Sequence, residues 1–543
     1  MDAAELPDLL HPVPVRRLDV DETRTAVTMA FAGAAGGLFH EALEKATLPS
    51  STWQPEAFAN DLFLSRFVAG CLRPSAAGRE RTPCLAHLVQ LLTHPPRDRA
   101  VVDHRRAILA ELDASPDRRA ALEGVYAALW RLRTLLEDAG GTRDWDPVRR
   151  HLDILGRLEE VIEAMVGFET CRSGLAALGC YAERVRASEP YRSMAELLRY
   201  DERLATLRLD VSIGADGRIR SFRILSVEEN QANAFASPPW RRWLAKVELF
   251  ARGYKFGDGE VMARLVDAVF SGLEVEVVAL IQLFGDLELY LGALAFADRA
   301  RAAGLAVCLP ELVEPDTPRR LEALFNPLLL MSGIQPVPCD LVTSHHAATV
   351  LVTGPNSGGK TRLLQSLGLA QVLAQAGLFV CARGGGVALT SGLVVSLIQE
   401  TKADQAEGRL GVELVRIRAL FECLPPGAMV LLDELCSGTN PSEGEEIFEL
   451  VVGMLQRLRP QAFITTHFLA FAARLERERS IPELEFLQVE LGADRRATYQ
   501  FVPGVATTSL AGHAAQRLGV TGEQLSSLIE QTLQRWRGPP AGE

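Results

Sequence analysis

In the second half of the chain, one segment reads Ala348-Thr349-Val350-Leu351-Val352-Thr353-Gly354-Pro355-Asn356-Ser357-Gly358-Gly359-Lys360-Thr361. Its first five residues are apolar or β-branched, which predicts a buried strand. The last eight fit the spacing G-x4-G-K-S/T, and apolar residues at helical spacing follow until Gly377. A strand, a glycine-rich loop and a helix in this order indicate a phosphate-binding P-loop in an α/β domain.

The residue types in this loop suit ATP with Mg²⁺. Glycines let backbone N–H groups approach phosphate oxygens, and the N-terminus of the following helix adds partial positive charge. Lys360 is expected to reach the β- and γ-phosphates, and the Thr361 hydroxyl to bind Mg²⁺. The predicted nucleotide-binding residues are Gly354, Pro355, Asn356, Ser357, Gly358, Gly359, Lys360 and Thr361.

Two further strands supply the chemistry expected beside such a loop. The run Ala428-Met429-Val430-Leu431-Leu432 predicts a buried strand, and Asp433 and Glu434 follow it. Asp433 is expected to hold Mg²⁺, and Glu434 to orient or deprotonate the attacking water. The run Ala462-Phe463-Ile464-Thr465-Thr466 predicts another strand, which ends at His467. This histidine is expected to bond the γ-phosphate or the attacking water and so to report hydrolysis, with a purely structural histidine as the alternative. The predicted catalytic residues are Lys360, Glu434 and His467, and the predicted metal-binding residues are Thr361 and Asp433.

Composition and charge bound the class of protein. The 543 residues suggest two to four domains, and 48% hydrophobic with 23% charged residues is ordinary for a folded protein. Nine cysteines without a CxxC pair suggest free thiols in a reducing cytosol, and the acidic N-terminus lacks the layout of a signal peptide. Residues 269–296 are apolar but carry four carboxylates, which favours a buried helix over a membrane span. We therefore expect a cytoplasmic protein without a membrane partner.

The spacing of apolar residues indicates a multidomain chain. Residues 1–205 and 240–301 have helical spacing, residues 207–227 alternate as a β-hairpin would, and an α/β pattern begins near residue 341. A helix is expected to start at Asn440, which can cap it, with Pro441 in its first turn. The expected layout is an N-terminal helical segment (1–75), a mostly α-helical core or lever with a small β-hairpin insertion (76–325), a P-loop ATPase domain (326–500) and a C-terminal helical element (501–543).

These motifs resemble the ATPase domain of the MutS family. The resemblance is carried by Thr353-Gly354-Pro355-Asn356-x-Gly358-Gly359-Lys360-Thr361, by Asp433-Glu434-x-x-x-Gly438-Thr439 and by Thr466-His467. Lys360-Thr361 and Thr439-x-Pro441-x-Glu443-Gly444 are closer to the second MutS subfamily than to the mismatch-repair MutS. Pro503-Gly504, Ser509, Ala514-Ala515 and Arg517-Leu518-Gly519 are similar to the family's C-terminal helical dimerisation element.

The resemblance implies an ABC-like ATPase domain that works as a homodimer, with ATP and Mg²⁺ at a site shared between subunits and helical arms that clamp DNA. The expected function is ATP-dependent binding of mismatched, branched or otherwise distorted DNA in repair or recombination. The β-hairpin takes the place of the family's lever and clamp, and residues 208–255 carry nine basic and five acidic groups. Arg218, Arg220 and Arg223 are therefore the candidate DNA contacts, with a plain solvated surface as the open alternative.

Two other functions stay open at this point: a ribosome- or RNA-remodelling ATPase, and a scaffold that ATP switches with little turnover. The net charge of −12 gives no global attraction to nucleic acid. We expect no mismatch-reading domain before the core, where Phe39-His40-Glu41 matches that domain's Phe-x-Glu by chance, and no nuclease domain before the end at Glu543. The family's Ser-Thr-Phe loop is replaced near Glu407-Gly408-Arg409-Leu410-Gly411, so no residue is assigned to the partner's γ-phosphate.

Overall fold

A computed structural model describes residues 6–34, 36–76, 78–138, 147–203, 206–213, 219–228, 258–397, 409–436, 440–507 and 520–536. Helices dominate this part of the chain up to residue 302, and strands alternate with helices from residue 311 onward. The structure therefore has a helical part followed by an α/β part, which confirms the mixed class expected from the sequence.

The helical part is built around one long helix. Its helices are α1 (Val20–Phe31), α2 (Leu38–Glu44), α3 (Leu64–Cys71), α4 (Leu85–Thr93), α5 (Arg99–Ala114), α6 (Pro116–Glu137), α7 (Pro147–Met165), α8 (Ala176–Ala187), α9 (Glu189–Arg203), α10 (Asp258–Ser271) and α11 (Glu274–Ala302). Two antiparallel pairs interrupt them, namely β1 (Ser75–Ala76) with β2 (Arg79–Glu80), and β3 (Thr206–Ile213) with β4 (Ile219–Glu228). The second pair lies where the sequence predicts a hairpin.

Helix α11 forms the axis of the helical part, because nearly every side chain along it is buried. By length and composition it could cross a membrane, but its most apolar window is fully buried inside the protein. Its interior carboxylates have partners: Glu288 accepts hydrogen bonds from the Cys84 N–H at 2.7 Å and from the Tyr126 hydroxyl at 3.1 Å. The predicted buried helix is thus confirmed from Glu274 onward, whereas residues 269–271 end helix α10.

The α/β part contains two sheets. Its strands are β5 (Glu311–Val313), β6 (Arg319–Leu324), β7 (Cys339–Thr343), β8 (Thr349–Thr353), β9 (Gly384–Ala388), β10 (Leu393–Ser396), β11 (Met429–Leu432), β12 (Gln461–Thr465), β13 (Leu484–Leu491) and β14 (Ala497–Pro503). One sheet has the order β5-β9-β6-β7, and the other has the order β10-β11-β12-β8-β13-β14. In the larger sheet every pair is parallel except β13 with β14. The carboxyl ends of β11, β12 and β8 therefore meet on one edge of the sheet, which is where ligands bind in such sheets.

The helices of the α/β part are α12 (Pro327–Met331), α13 (Lys360–Gln375), α14 (Arg409–Cys423), α15 (Pro441–Leu455), α16 (Leu469–Glu478) and α17 (Gly522–Trp536). Helix α15 starts as expected, because the Asn440 side chain accepts a hydrogen bond from the Ser442 N–H. Strands β5 and β6 already precede residue 326, the domain boundary expected from the sequence. All described side chains of α17 are exposed to solvent.

Helix α13 joins the two parts of the molecule. It is followed by Gly377 (φ 80°), where a Cβ atom would lie 2.8 Å from the Cβ of Arg105 in α5. The Arg105 guanidinium donates to the carbonyl oxygen of Ala376 at 3.3 Å and to that of Leu10 at 3.0 Å. A cation at the C-terminus of a helix interacts favourably with the helix dipole. The helix that begins at the glycine loop is therefore anchored at its far end on the helical part.

Candidate nucleotide site

The loop between β8 and α13 follows a tight path that requires glycine. Gly354 (φ 144°) and Gly359 (φ 90°) have backbone conformations that residues with a Cβ atom rarely adopt. A Cβ on Gly354 would lie 2.6 Å from Val489 Cγ2, and a Cβ on Gly358 would lie 2.9 Å from the carbonyl oxygen of Pro355. The loop therefore curls on itself at the N-terminus of α13, which is the geometry that presents backbone N–H groups to phosphate.

Lys360 is the first residue of α13, and its side chain is folded over the loop. Its Nζ donates to the carbonyl oxygens of Gly354 at 2.9 Å and Pro355 at 3.2 Å. The residue is 5% exposed, and this burial lowers the pKa of the Lys360 ammonium, while Glu434 and Asp433 act in the opposite direction. An ammonium group with few water contacts and carbonyl partners is well placed to exchange those partners for phosphate oxygens.

Asp433 is held by hydroxyl groups from two different elements. Thr361 Oγ1, on α13, donates to Asp433 Oδ2 at 2.5 Å, and Thr465 Oγ1, at the end of β12, donates to Asp433 Oδ1 at 2.5 Å. The Asp433 N–H donates to the carbonyl oxygen of Ser396 at the end of β10, at 2.9 Å. The two residues predicted to bind the metal are thus direct neighbours, although they are 72 positions apart in sequence.

Glu434 and His467 contact each other at the next position along the same edge. His467 Nε2 lies 2.5 Å from Glu434 Oε1, and both side chains are about one-third exposed. Glu434 has a φ of 55°, and its N–H donates to Thr465 Oγ1 at 2.8 Å. A left-handed backbone at a residue other than glycine costs about 1–3 kcal/mol and is common at functional sites. The turn after β11 therefore directs this carboxylate toward the histidine at the end of β12.

An open cleft of about 820 Å³ runs along the glycine loop. Among the predicted residues, the cleft is lined by Pro355, Asn356, Ser357, Gly358, Gly359, Lys360, Thr361 and Glu434. The cleft also has an apolar wall, which includes Phe325, Val337, Tyr499 and Phe501. The Tyr499 ring lies over the loop, with Cδ1 3.1 Å from the position of a Cβ on Gly359. The glycine loop thus suits phosphates, and the aromatic residues of the lining suit a flat ring.

Sequence reasoning missed three groups of this site. The sequence pattern places Thr465 in a strand and indicates no role for it, although its hydroxyl joins Asp433 to Glu434. Tyr499 and Phe501 lie on β14, an edge strand far from the motifs, and nothing local marks them. Phe63 comes from the helical part and lines the same cleft. The only signal was for Thr465, since it stands two residues before His467 at a predicted strand end.

Several predicted residues cannot be placed. Arg218 lies outside the described residues, as do Ser437, Gly438, Thr439, Glu407, Gly408, Ser509 and residues 511–519. Arg220 and Arg223 lie on strand β4, but their side chains are outside the described set. The DNA contacts expected at these arginines stay predictions.

Comparison with known proteins agrees with the sequence motifs. Residues 350–534 match the family model "MutS domain V". The chain is 31% identical over 242 residues to Endonuclease MutS2 of Thermomicrobium roseum, a match that covers 42% of this chain and 30% of that protein. It is 31% identical over 253 residues to Endonuclease MutS2 of Streptococcus gordonii, covering 46% and 31%, respectively. The chain thus spans less than a third of the length of these relatives, and the resemblance to MutS2 within the MutS family is confirmed for the matched part.

Proposed function

We propose that this MutS2-like chain is an ATPase that uses ATP to control its binding to DNA. The observation that carries the proposal is the meeting of Lys360, Thr361 and Asp433 with Glu434 and His467 on one sheet edge, beside a cleft with a glycine loop. These are the groups that phosphoryl transfer requires: a phosphate cradle, a cation, metal ligands and a residue to position water.

The phosphates would bind to the backbone N–H groups of the loop and to Lys360 Nζ. Thr361 and Asp433 fit a Mg²⁺ ion, because a hydroxyl and a carboxylate 2.5 Å apart offer hard oxygen ligands beside the phosphate position. When bound, Mg²⁺ would neutralise charge on the β- and γ-phosphates. Thr465 keeps the Asp433 carboxylate in one orientation.

Glu434 is the group that would act on the attacking water. Its carboxylate would accept a proton from the water as the oxygen attacks the γ-phosphorus, the bond to the β-phosphate oxygen breaks, and ADP and inorganic phosphate form. His467 lies 2.5 Å from this carboxylate and orients it. The same imidazole could contact the γ-phosphate, so loss of that phosphate would change its partners.

The apolar wall of the cleft would receive the adenine. Tyr499 and Phe501 lie on β14, and Val337 lies in the loop before β7, and all three line the cleft. The cleft volume of about 820 Å³ is in the range of small-molecule sites, and aromatic rings stack well on a planar base. Positioning of the base therefore depends on residues outside the phosphate motifs.

The working form we propose is a homodimer. Helix α17 presents Leu525, Leu528, Ile529, Leu533 and Trp536 to solvent, and their spacing of three and four residues places them on one face. These side chains are 42–85% exposed, and a stripe of this kind is typical of a face that a second copy covers. In the dimer, each nucleotide would lie close to the partner subunit.

The DNA target we propose is mismatched, branched or otherwise distorted, held through phosphates by the region of β3 and β4. Fluorescence anisotropy on perfect duplex, mismatched duplex and four-way-junction DNA, with and without ATP-Mg²⁺ at one salt concentration, tests this. Nucleotide-sensitive binding that favours a distorted DNA is expected. Absence of binding to all three at low salt would contradict the DNA assignment.

A further inference from the structure

A short segment of the helical part lies along the edge strand of the ATPase sheet. The Leu397 N–H, just after β10, donates to Asp61 Oδ2 at 2.8 Å across a sequence separation of 336 residues. Near the other end of β10, Thr52 Oγ1 donates to the carbonyl oxygen of Ser391 at 2.5 Å, and Trp53 Nε1 donates to that of Thr390 at 3.3 Å. Residues 52–61 thus bind the sheet at both ends of its edge strand.

Leu62 continues this contact into the core of the ATPase part. Its side chain is fully buried, and its Cδ2 would lie 2.7 Å from a Cβ on Gly368 of α13. The same Cβ would lie 3.0 Å from Cδ1 of Leu431, on the strand that leads to Asp433. Leu62 therefore fits into a groove between the helix of the glycine loop and the strand of the metal-binding carboxylate.

Phe63 is then directed into the cleft itself. It has a φ of 53°, which is an outlier for a bulky side chain, and it precedes helix α3. Its side chain lines the cleft together with Leu397, Lys360 and Glu434. The neighbouring contacts of Asp61 and Leu62 hold the segment in place, so the strained backbone persists because packing on both sides fixes it.

Helix α3 connects Phe63 to the axis of the helical part. The Phe67 ring packs edge to face against Phe296 of α11, with 5.7 Å between ring centroids. Helix α3 also packs against α12, where Gly70 contacts the Met331 side chain. A displacement of Phe63 would therefore be transmitted through α3 to α11, the longest helix in the described part of the chain.

We propose that Phe63 is a positioning residue of the nucleotide site, supplied by the helical part, so that bound ATP and the docking of residues 52–63 on the ATPase sheet stabilise each other. This inference rests on the proposed function, since it takes the cleft to be the nucleotide site. Reciprocity follows from linkage: a nucleotide that contacts Phe63 binds more tightly when the segment is docked, and its binding favours the docked state by the same factor. Binding of a nucleotide in the cleft thereby stabilises the docked state of this segment of the helical part.

The test measures binding of a fluorescent ATP analogue with Mg²⁺ to the full chain and to three variants. Phe63→Ala should weaken binding by about 3- to 10-fold, the effect of losing one aromatic contact, and Phe63→Leu should restore most of it. Ser65→Ala, two residues away at an exposed position, is the matched control and should bind as the wild type does. Equal affinity of the wild type and Phe63→Ala, with equal melting temperatures, would overturn the proposal.

Amide hydrogen exchange gives a second measurement that does not depend on how well Phe63→Ala folds. In the wild type, ATP should slow exchange in α3 (Leu64–Cys71), and Phe63→Leu should keep part of that protection. Unchanged exchange in α3 while the glycine loop becomes protected would overturn the proposal and leave the nucleotide site intact. A wild type that binds no nucleotide would instead contradict the proposed function, so the two failures are distinguishable.

Discussion

Thr465 donates its hydroxyl to Asp433 at 2.5 Å, and the same Oγ1 accepts the N–H of Glu434 at 2.8 Å. One side chain at the end of β12 thus fixes both acidic residues that follow β11. Replacement of Thr465 by valine keeps the shape but removes both hydrogen bonds. We expect kcat to fall by about 10- to 100-fold and the Mg²⁺ concentration for half-maximal activity to rise, as is typical when a hydrogen-bond partner of a metal ligand is lost.

Thr465→Ser is the matched control, because it retains the hydroxyl and should keep most of the activity. The measurement is steady-state phosphate release as a function of Mg²⁺ concentration. Equal activity and equal Mg²⁺ dependence of Thr465→Val and the wild type would show that the hydroxyl has no part in the reaction.

The apolar wall of the cleft predicts that binding of the base can be weakened without weakening binding of the phosphates. Tyr499→Ala should weaken ATP binding by roughly tenfold, because an aromatic ring beside the base is removed. Binding of inorganic tripolyphosphate, measured by its competition with a fluorescent nucleotide, should stay within about twofold, since it needs only the glycine loop and Lys360. A parallel loss of both would mean that Tyr499 supports the loop and does not contact the base.

The carboxyl group of Glu288 predicts a pH-dependent stability. Burial raises its pKa from the ordinary 4.5 to about 7, so the folded state holds the proton more tightly than the unfolded state does. Stability should therefore fall as the pH rises from about 4.5 through 7, by up to about 3 kcal/mol, and then level off. Glu288→Gln mimics the protonated group and removes this loss.

Urea unfolding of the wild type and Glu288→Gln at pH 5 and pH 8 measures the effect. The variant should gain stability relative to the wild type at pH 8, and the difference should shrink at pH 5. A difference that is the same at both pH values would show that Glu288 does not change its protonation in this range.

The exposed stripe of α17 predicts the oligomeric state. Ile529→Asp places a charge in the centre of the stripe, where burial in a dimer would be costly. The dissociation constant of the dimer should therefore rise at least about tenfold. Ser527→Asp adds the same charge on the opposite side of the helix and is the control. Sedimentation velocity over a concentration series distinguishes them, and a monomeric wild type would contradict the dimer.

The nucleotide motifs could be predicted from sequence because each is encoded locally. The strand, loop and helix around Lys360, and the cap at Asn440, depend on neighbouring residues only, and the structure has the elements where the pattern placed them. The contacts of Phe63, Thr465 and Tyr499 depend on packing between segments that lie far apart in the chain. No local pattern distinguishes an aromatic residue that lines a cleft from one in a core.

In the reaction we propose, Glu434 acts on the water that attacks ATP. A single-turnover experiment with radiolabelled ATP and Mg²⁺ on the wild type and Glu434→Gln tests it most directly, with ATP affinity measured in parallel. We expect the variant to keep its ATP affinity within about threefold and to release phosphate at least about 100-fold more slowly. Equal rates of phosphate release in both proteins would exclude this role of Glu434 and favour a scaffold that binds ATP without hydrolysing it.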